Sequence, residues 1–225
     1  MRALAITVLL AGCSALPPPS TPAPAATARE RGRLLAIPDE TMVFTVALRG
    51  VTLARVQTAV GHLGEIAGHR AVIARSRGHT EGILSIAGDL TWELTTTLDL
   101  DTGKALEAVE ESWATFQGEH AHERSTHGND REDLHTAITL LRAWRPTAAE
   151  RREVDVEIGG GRFRVEVWLG ARVKLRMPAL RFDGIAADQF PFSIWISDDA
   201  DRVPLRARVE TKFGEVAVEL VGYDD

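Results

Sequence analysis

The sequence predicts a mainly β fold: a strongly curved antiparallel sheet or partial barrel of about ten strands, with one amphipathic helix packed in or on it. Three observations predict it. From Ile37 onward the dominant hydrophobic period is two. A glycine triplet, Gly159-Gly160-Gly161, separates two runs whose faces match as a hairpin. One stretch alone has a helical stripe.

The strands come first. Met42, Phe44, Val46 and Leu48 share a face, as do Leu90, Trp92, Leu94 and Leu98, with Thr and Glu between them. Such alternation is that of half-buried antiparallel strands. Further strands are expected near 52–60, 69–77, 104–117 and 172–183. Residues 81–87 (EGILSIA) fit either a helical turn or a strand.

The hairpin over 153–166 is the best specified. With a two-residue loop of Gly159-Gly160, Glu157 faces Arg162, Val156 faces Phe163, Asp155 faces Arg164 and Val154 faces Val165. Only Glu153 opposite Glu166 is mismatched. A three-residue loop would put Val156 opposite Arg164 and lose the matching, so face matching selects the two-residue turn. At the C-terminal end Phe190, Phe192, Ile194 and Ile196 share a face. Ser197-Asp198-Asp199-Ala200-Asp201 follows as a turn, and Val203, Leu205, Ala207 and Val209 resume the alternation. Gly214 breaks it before Val216, Val218 and Leu220.

Leu134, Ala137, Ile138, Leu141 and Trp144 recur at helical spacing. Asn129 or Asp130 is the expected cap, with Glu132 at the capping-box position for Asn129, and Pro146 ends the helix. The stripe predicts that Leu134, Ile138 and Leu141 are buried against the sheet.

The N-terminus reads as an address and an anchor. Met1-Arg2 precedes an apolar run, Ala3 to Ala11, far too short to span a bilayer. Leu10-Ala11-Gly12-Cys13 then resembles the lipobox of bacterial lipoproteins, which implies lipidation of Cys13 and cleavage before it. Residues 1–12 are thus expected to be a signal peptide. Residues 13–37 are the lipidated cysteine and a Pro/Ala-rich linker, and 38–225 form a single β-rich domain. Residues 14–37 hold five of the ten prolines, and extended they would reach up to roughly 75 Å. Ser14 after the cysteine suggests the outer membrane, by analogy with proteobacterial lipoproteins.

Composition narrows the function classes. Lys plus Arg is 26 against Asp plus Glu 32, a net charge of −6 over 225 residues. There is no basic excess, so no nucleic-acid partner is expected. Cys13 is the only cysteine, which excludes an intramolecular disulfide and a Cys-cluster zinc site.

Several segments together, Leu90 to Asp101, Asp133 to Arg142, and Phe192 to Asp199 running into Arg202 to Arg208, resemble the exported bacterial proteins called domain-of-unknown-function family 3108. The most specific part is the strand–turn–strand from Trp195 to Arg208, W-x-S-D-D … R-x-P-x-R. The resemblance implies an envelope-exported, curved β-rich domain over roughly residues 38–223, and no established activity.

The candidate chemistry is sparse. His120, His122, His127 and His135 fall near Glu119, Glu123, Asp130 and Asp133, but without any fixed ligand spacing. The expectation is an exposed polar loop with no zinc. The Ser197–Asp201 acids lack the calcium-loop spacing. No Gly-x-Ser-x-Gly elbow is present, and a glycine triplet between strands is a turn rather than a phosphate loop. Trp92 and Trp144 lie on apolar faces and read as core. Trp168 and Trp195 lie opposite their strands' apolar residues and are the candidate ligand-binding aromatics.

The expectation is therefore a lipid-anchored envelope protein with no cofactor. It is tied to a membrane through Cys13 and is a non-catalytic binder of a lipid, a glycan or a protein partner. The alternatives are a metal-dependent hydrolase using the 119–135 cluster and a purely structural envelope component. An open apolar cavity would mark the first, a converged His–carboxylate site the second and a filled core the third.

Overall fold

A computed structural model describes residues 36–128 and 132–225. The expected signal peptide, Cys13, most of the expected linker and the expected caps Asn129 and Asp130 lie outside the described residues.

Thirteen strands and two helices follow in order: β1 (Thr41–Leu48), β2 (Val51–Val60), β3 (Gly64–Ile66), β4 (His69–Thr80), α1 (Ile83–Ala87), β5 (Gly88–Asp99), β6 (Ala105–Phe116), β7 (Glu119–Gly128), α2 (Leu134–Ala143), β8 (Arg151–Ile158), β9 (Gly161–Lys174), β10 (Pro178–Ala186), β11 (Phe190–Ser197), β12 (Pro204–Thr211) and β13 (Gly214–Asp224). They form one antiparallel sheet, ordered β7-β6-β5-β4-β2-β1-β13-β12-β11-β10-β9-β8, with β3 beside β4. Register shifts in β1, β5, β10 and β11 let this long sheet curl. The two edge strands, β7 and β8, do not pair with each other. Glu132, just before α2, makes a parallel bridge to Val156, and the Glu157 N–H donates to its carbonyl at 2.8 Å. The result is a barrel-like sheet left open along a seam.

The 153–166 hairpin has the expected register. Ile158 pairs Gly161, Glu157 pairs Arg162, Val156 pairs Phe163 and Val154 pairs Val165. Gly159 and Gly160 both have positive φ, 61° and 70°, as the mirror-image turn requires. Glu153 does oppose Glu166, but each takes an arginine: Arg164 reaches Glu153 at 2.8 Å and Arg151 reaches Glu166 at 2.9 Å.

Four expectations need correction. The strand expected over 172–183 is two strands: the Leu175 N–H donates to the Met177 carbonyl and turns the chain between β9 and β10. The polar loop expected around His120–His127 is strand β7, held by a full ladder to β6 that outweighs its low β propensity. The cap of α2 is Asp133, whose Oδ1 accepts from the Thr136 N–H at 2.8 Å. Of the helical stripe, Leu141 and Trp144 are buried but Leu134, Ala137 and Ile138 are only half-buried.

That last difference has a physical cause. A helix inside a curled sheet has no fully solvent-facing side, so its polar face must be buried too. His135, Thr136, Thr139 and Arg142 are all buried. Leu141 and Trp144 pack with Val167, Leu180, Phe182 and Ile196 as one core. Val60, Val72, Ala74 and Leu98 form a second core on the β2–β4–β5 wall, with Ala36 and Leu100 packed against it. Each fully buried aliphatic or phenyl side chain contributes about 1.5–3 kcal/mol. No helix among the described residues is long and apolar enough to cross a membrane.

Candidate functional site

The barrel has two unlike ends. At one, where β1 starts and β11 ends, α2 fills the interior and Met42, Leu180, Phe182 and Ile196 are buried. At the other, the mouth, the period-two pattern of β1, β12 and β13 still points apolar side chains inward. Val46 pairs Val218, Leu48 pairs Val216, Ala207 pairs Val218 and Val209 pairs Val216. All of these are only half-buried; Phe192 and Ile194 on β11, also half-buried, pack against the Leu141–Trp144–Phe182 core. An apolar inner wall that α2 does not cover is the main feature of the interior. The strand connections around the mouth add exposed apolar tips: Val51, Ile86, Phe116 and Phe213.

A polar relay pins α2 at the filled end. His135 Nδ1 lies 2.8 Å from Thr96 Oγ1, which donates to Asp133 Oδ2 at 2.5 Å. Thr96 has therefore spent its proton, so Nδ1 carries the imidazole hydrogen. Nε2 then accepts from Ser76 Oγ at 2.8 Å, and Ser76 accepts from Thr58 at 2.7 Å. Burial pushes the His135 pKa down to about 4, with the Asp133 charge opposing it. The ring stays neutral, as this order of donors demands. A serine beside a neutral histidine has the outline of a nucleophile and its base. Ser76, however, is 2% exposed and roofed by α2, so no substrate reaches it.

Arginines hold the rest of α2. Arg142 makes a bidentate pair with Glu40 and donates to the Asp201 carbonyl. Arg202 donates to the Trp144 carbonyl at 2.9 Å, at the helix C-terminus where a cation is favoured. Burial, together with nearby Arg145, holds the Arg202 guanidinium down at about 10. The Ser197–Asp201 acids form the turn that positions it: Asp199 Oδ1 accepts from Ser197 Oγ and from the Arg202 N–H, and Ser197 Oγ accepts from the Val203 N–H. The seam is fastened by Glu110, which points inward from β6. Its carboxylate accepts the Trp92 indole N–H and, through both oxygens, the Gly159 N–H at 3.0 and 2.8 Å.

Trp168 and Trp195 are both half-buried on the outer face of the sheet. They flank β10, where Trp168 pairs Asp183 and Trp195 pairs Arg181. Arg181 and Asp183 bridge each other at 2.9 Å. Arg151 lies 4.7 Å from the Trp168 ring centroid and Arg206 lies 6.0 Å from that of Trp195. The two rings therefore belong to one outer surface, away from the apolar wall.

The 119–135 cluster is dispersed. Strand alternation puts His120 and His122 on the outer face, where His120 meets Thr115 and His122 stacks on Trp113 with centroids 5.2 Å apart. His127 points the other way, opposite Ala108, and His135 belongs to the relay. Among the described residues no three His, Cys, Asp or Glu side chains converge as for a metal ion. Cys13 lies outside the described residues.

Sequence reasoning missed Glu40, Ser76, Thr96 and Glu110. The partners are far apart in sequence, with Ser76 and His135 separated by 59 positions. The one available signal was Glu110 itself, a carboxylate at an inward period-two position.

No family model matches the chain, and no curated protein matches it. Solved structures do share its architecture. A β-barrel-like protein of domain-of-unknown-function family 1849 from Brucella abortus superposes with a TM-score of 0.58 at 8% identity, covering 82% of this chain and 96% of that one. A candidate exported protein with a YmcC-like fold from Bacteroides fragilis has a TM-score of 0.37 at 9% identity, covering 84% and 97%. A candidate lipoprotein from Parabacteroides distasonis has a TM-score of 0.33 at 7% identity, covering 84% and 96%. The first establishes a β-barrel-like fold shared with a domain of unknown function, and the other two overlap too loosely to bear on function. The resemblance to family 3108 has no matching family model behind it.

Proposed function

We propose that this protein is a lipid-anchored component of a bacterial cell envelope whose barrel binds the apolar part of a lipid, without catalysing a reaction. The observation that carries the reading is the half-buried apolar wall formed by Val46, Leu48, Ala207, Val209, Val216 and Val218. In a filled barrel those side chains would be as buried as Phe182. Left open, the wall offers roughly 25 cal/mol of stabilisation per Å² to any apolar group that covers it. The exposed apolar tips Val51, Phe116 and Phe213 extend that apolar surface to the rim of the mouth. No charged side chain stands among these wall residues, which favours an acyl chain over a glycan. The outer Trp168–Trp195 face is the surface left for a glycan or a protein partner.

The same proposal includes lipidation of Cys13, an outer-membrane location facing the periplasm, and kinship with family 3108 through Trp195 to Arg208. Two acyl chains hold a protein on a membrane where one barely does. Changing Cys13→Ala is expected to release the protein from membranes or block its maturation, and normal processing with full membrane fractionation would overturn the anchor.

The binding reading is tested by native mass spectrometry of protein purified from its host, and by titration with a fluorescent fatty acid. Saturable binding that is lost in Val218→Asp with Val46→Asp supports it. No copurified lipid and no saturable binding would favour the structural alternative.

A further inference from the structure

The β9–β10 hairpin tip has a composition unlike the rest of the chain. Arg172, Lys174 and Arg176 alternate with Val173, Leu175 and Met177, and no acid occurs between Glu166 and Asp183. This is a local cationic block in a chain of net charge −6. The three cations are exposed. Arg172 approaches Asp198 only at 3.6 Å, and among the described residues Lys174 and Arg176 have no acidic partner.

The tip is also half of a groove. Leu175, Arg176 and Met177 line a cleft of about 430 Å³ together with Leu220, Val221 and Tyr223 at the end of β13. Three of the apolar side chains in it are open to solvent: Val221 is 57% exposed, Met177 40% and Tyr223 37%. Within the lining Arg206 pairs with Glu219 at 2.7 Å, so those two charges offset each other.

The tip lies at the filled end of the barrel, opposite the mouth. The described chain begins at that same end: Ala36 packs on the Val60–Val72–Leu98 core, and Thr41 pairs Asp224 at the end of β13. The segment leading back to Cys13 therefore attaches at the end that carries the hairpin cations, alongside the exposed Asp198, Asp201, Asp224 and Asp225.

We infer that the β9–β10 tip and the end of β13 form a docking surface for an anionic lipid bilayer. Arg172, Lys174 and Arg176 meet headgroup phosphates, while Leu175, Met177 and Val221 enter the interfacial layer. Lys and Arg close to an anionic surface are attracted additively, and an acyl anchor combined with a basic patch holds more firmly than either alone. Docking at this end points the mouth away from the bilayer that carries the anchor. The inference rests on the Cys13 anchor but is independent of what the barrel interior binds.

The test uses the full-length lipidated protein in vesicles of phosphatidylglycerol or of phosphatidylcholine, read by amide hydrogen exchange. Exchange at 172–177 and 221–223 is expected to slow in phosphatidylglycerol only, and the difference should vanish in high salt, which screens such contacts. The variant Arg172→Gln, Lys174→Gln, Arg176→Gln should lose the difference, while the buried amides around Phe182 and fatty-acid binding stay unchanged. Equal exchange on both lipids would overturn the inference. So would protection at the mouth turns 49–51 and 212–213 in place of the hairpin, or a difference that survives in the triple variant.

Discussion

Arg142 on α2 and Glu40 just before β1 form a buried bidentate ion pair, 2.6 and 2.8 Å long, across 102 residues of chain. Their side chains are 3% and 0% exposed. The pair ties the helix to the first strand, while the Asp201 carbonyl ties the same guanidinium to the β11–β12 turn. Breaking a buried pair from one side leaves an uncompensated charge, at a cost of about 3–5 kcal/mol. Arg142→Met and Glu40→Leu should each lower stability by that much. The double variant should recover most of the loss, because an apolar pair replaces two desolvated charges. Denaturant unfolding of all four proteins checks this, and additive losses would show that the two residues do not interact.

His135 should make stability depend on pH. Its folded pKa of about 4 lies below the ordinary 6.5, so between those values the unfolded chain binds the extra proton. Stability should therefore rise with pH from about 4 to about 6.5 and be lost as pH falls through that window. The size is on the order of 3 kcal/mol, from about 1.4 kcal/mol per pKa unit. Urea unfolding between pH 4 and 7 measures the slope. His135→Gln should flatten it, and an unchanged slope would place the titrating group elsewhere.

Leu141 and Ile138 should differ sharply. Leu141 is packed into the Phe182 core and Ile138 is half-buried. Ile138→Val should cost about 0.5–1.5 kcal/mol at most. Leu141→Asp places an unpaired carboxylate among Val167, Leu180 and Phe182, costing several kcal/mol against a total of roughly 5–15. Thermal unfolding compares them, and an unchanged melting temperature for Leu141→Asp would refute the packing.

The β8–β9 turn should demand glycine at Gly160, whose φ is 70°. A β-branched residue there is strained, so Gly160→Val should lower stability by about 1–3 kcal/mol. Gly159→Asn should be tolerated, because asparagine accepts that backbone region and keeps the N–H that Glu110 receives. Equal tolerance of both variants by chemical denaturation would argue against the two-residue turn.

Chelators should leave the protein unchanged. His120 and His122 lie on one face of β7 and His127 on the other, so they do not converge on a common metal ion. Elemental analysis is expected to find no stoichiometric zinc, and melting temperatures with and without chelator should agree. Stoichiometric zinc would reinstate the metal-dependent hydrolase.

Local rules alone specify part of this fold. Period-two alternation specified Met42–Leu48 and Phe190–Ile196 as strands because one-sided burial leaves that mark on each residue pair. Opposed faces and two adjacent glycines specified the 153–166 hairpin down to its register, since a slip of one residue would have put Val156 against Arg164. Tertiary structure alone decided what the helix buries and where the barrel stays open. His135 meets Ser76 and Thr96 only after β4 and β5 have curled beneath α2. Arg142 finds Glu40 only when α2 lies inside the curled sheet, against the start of its central strand β1. Those partners carry no shared spacing, because their meeting depends on how the whole sheet closes. The same holds for the open wall: Val46 and Val218 have the pattern of core residues, and only the short reach of a ten-residue helix leaves them uncovered.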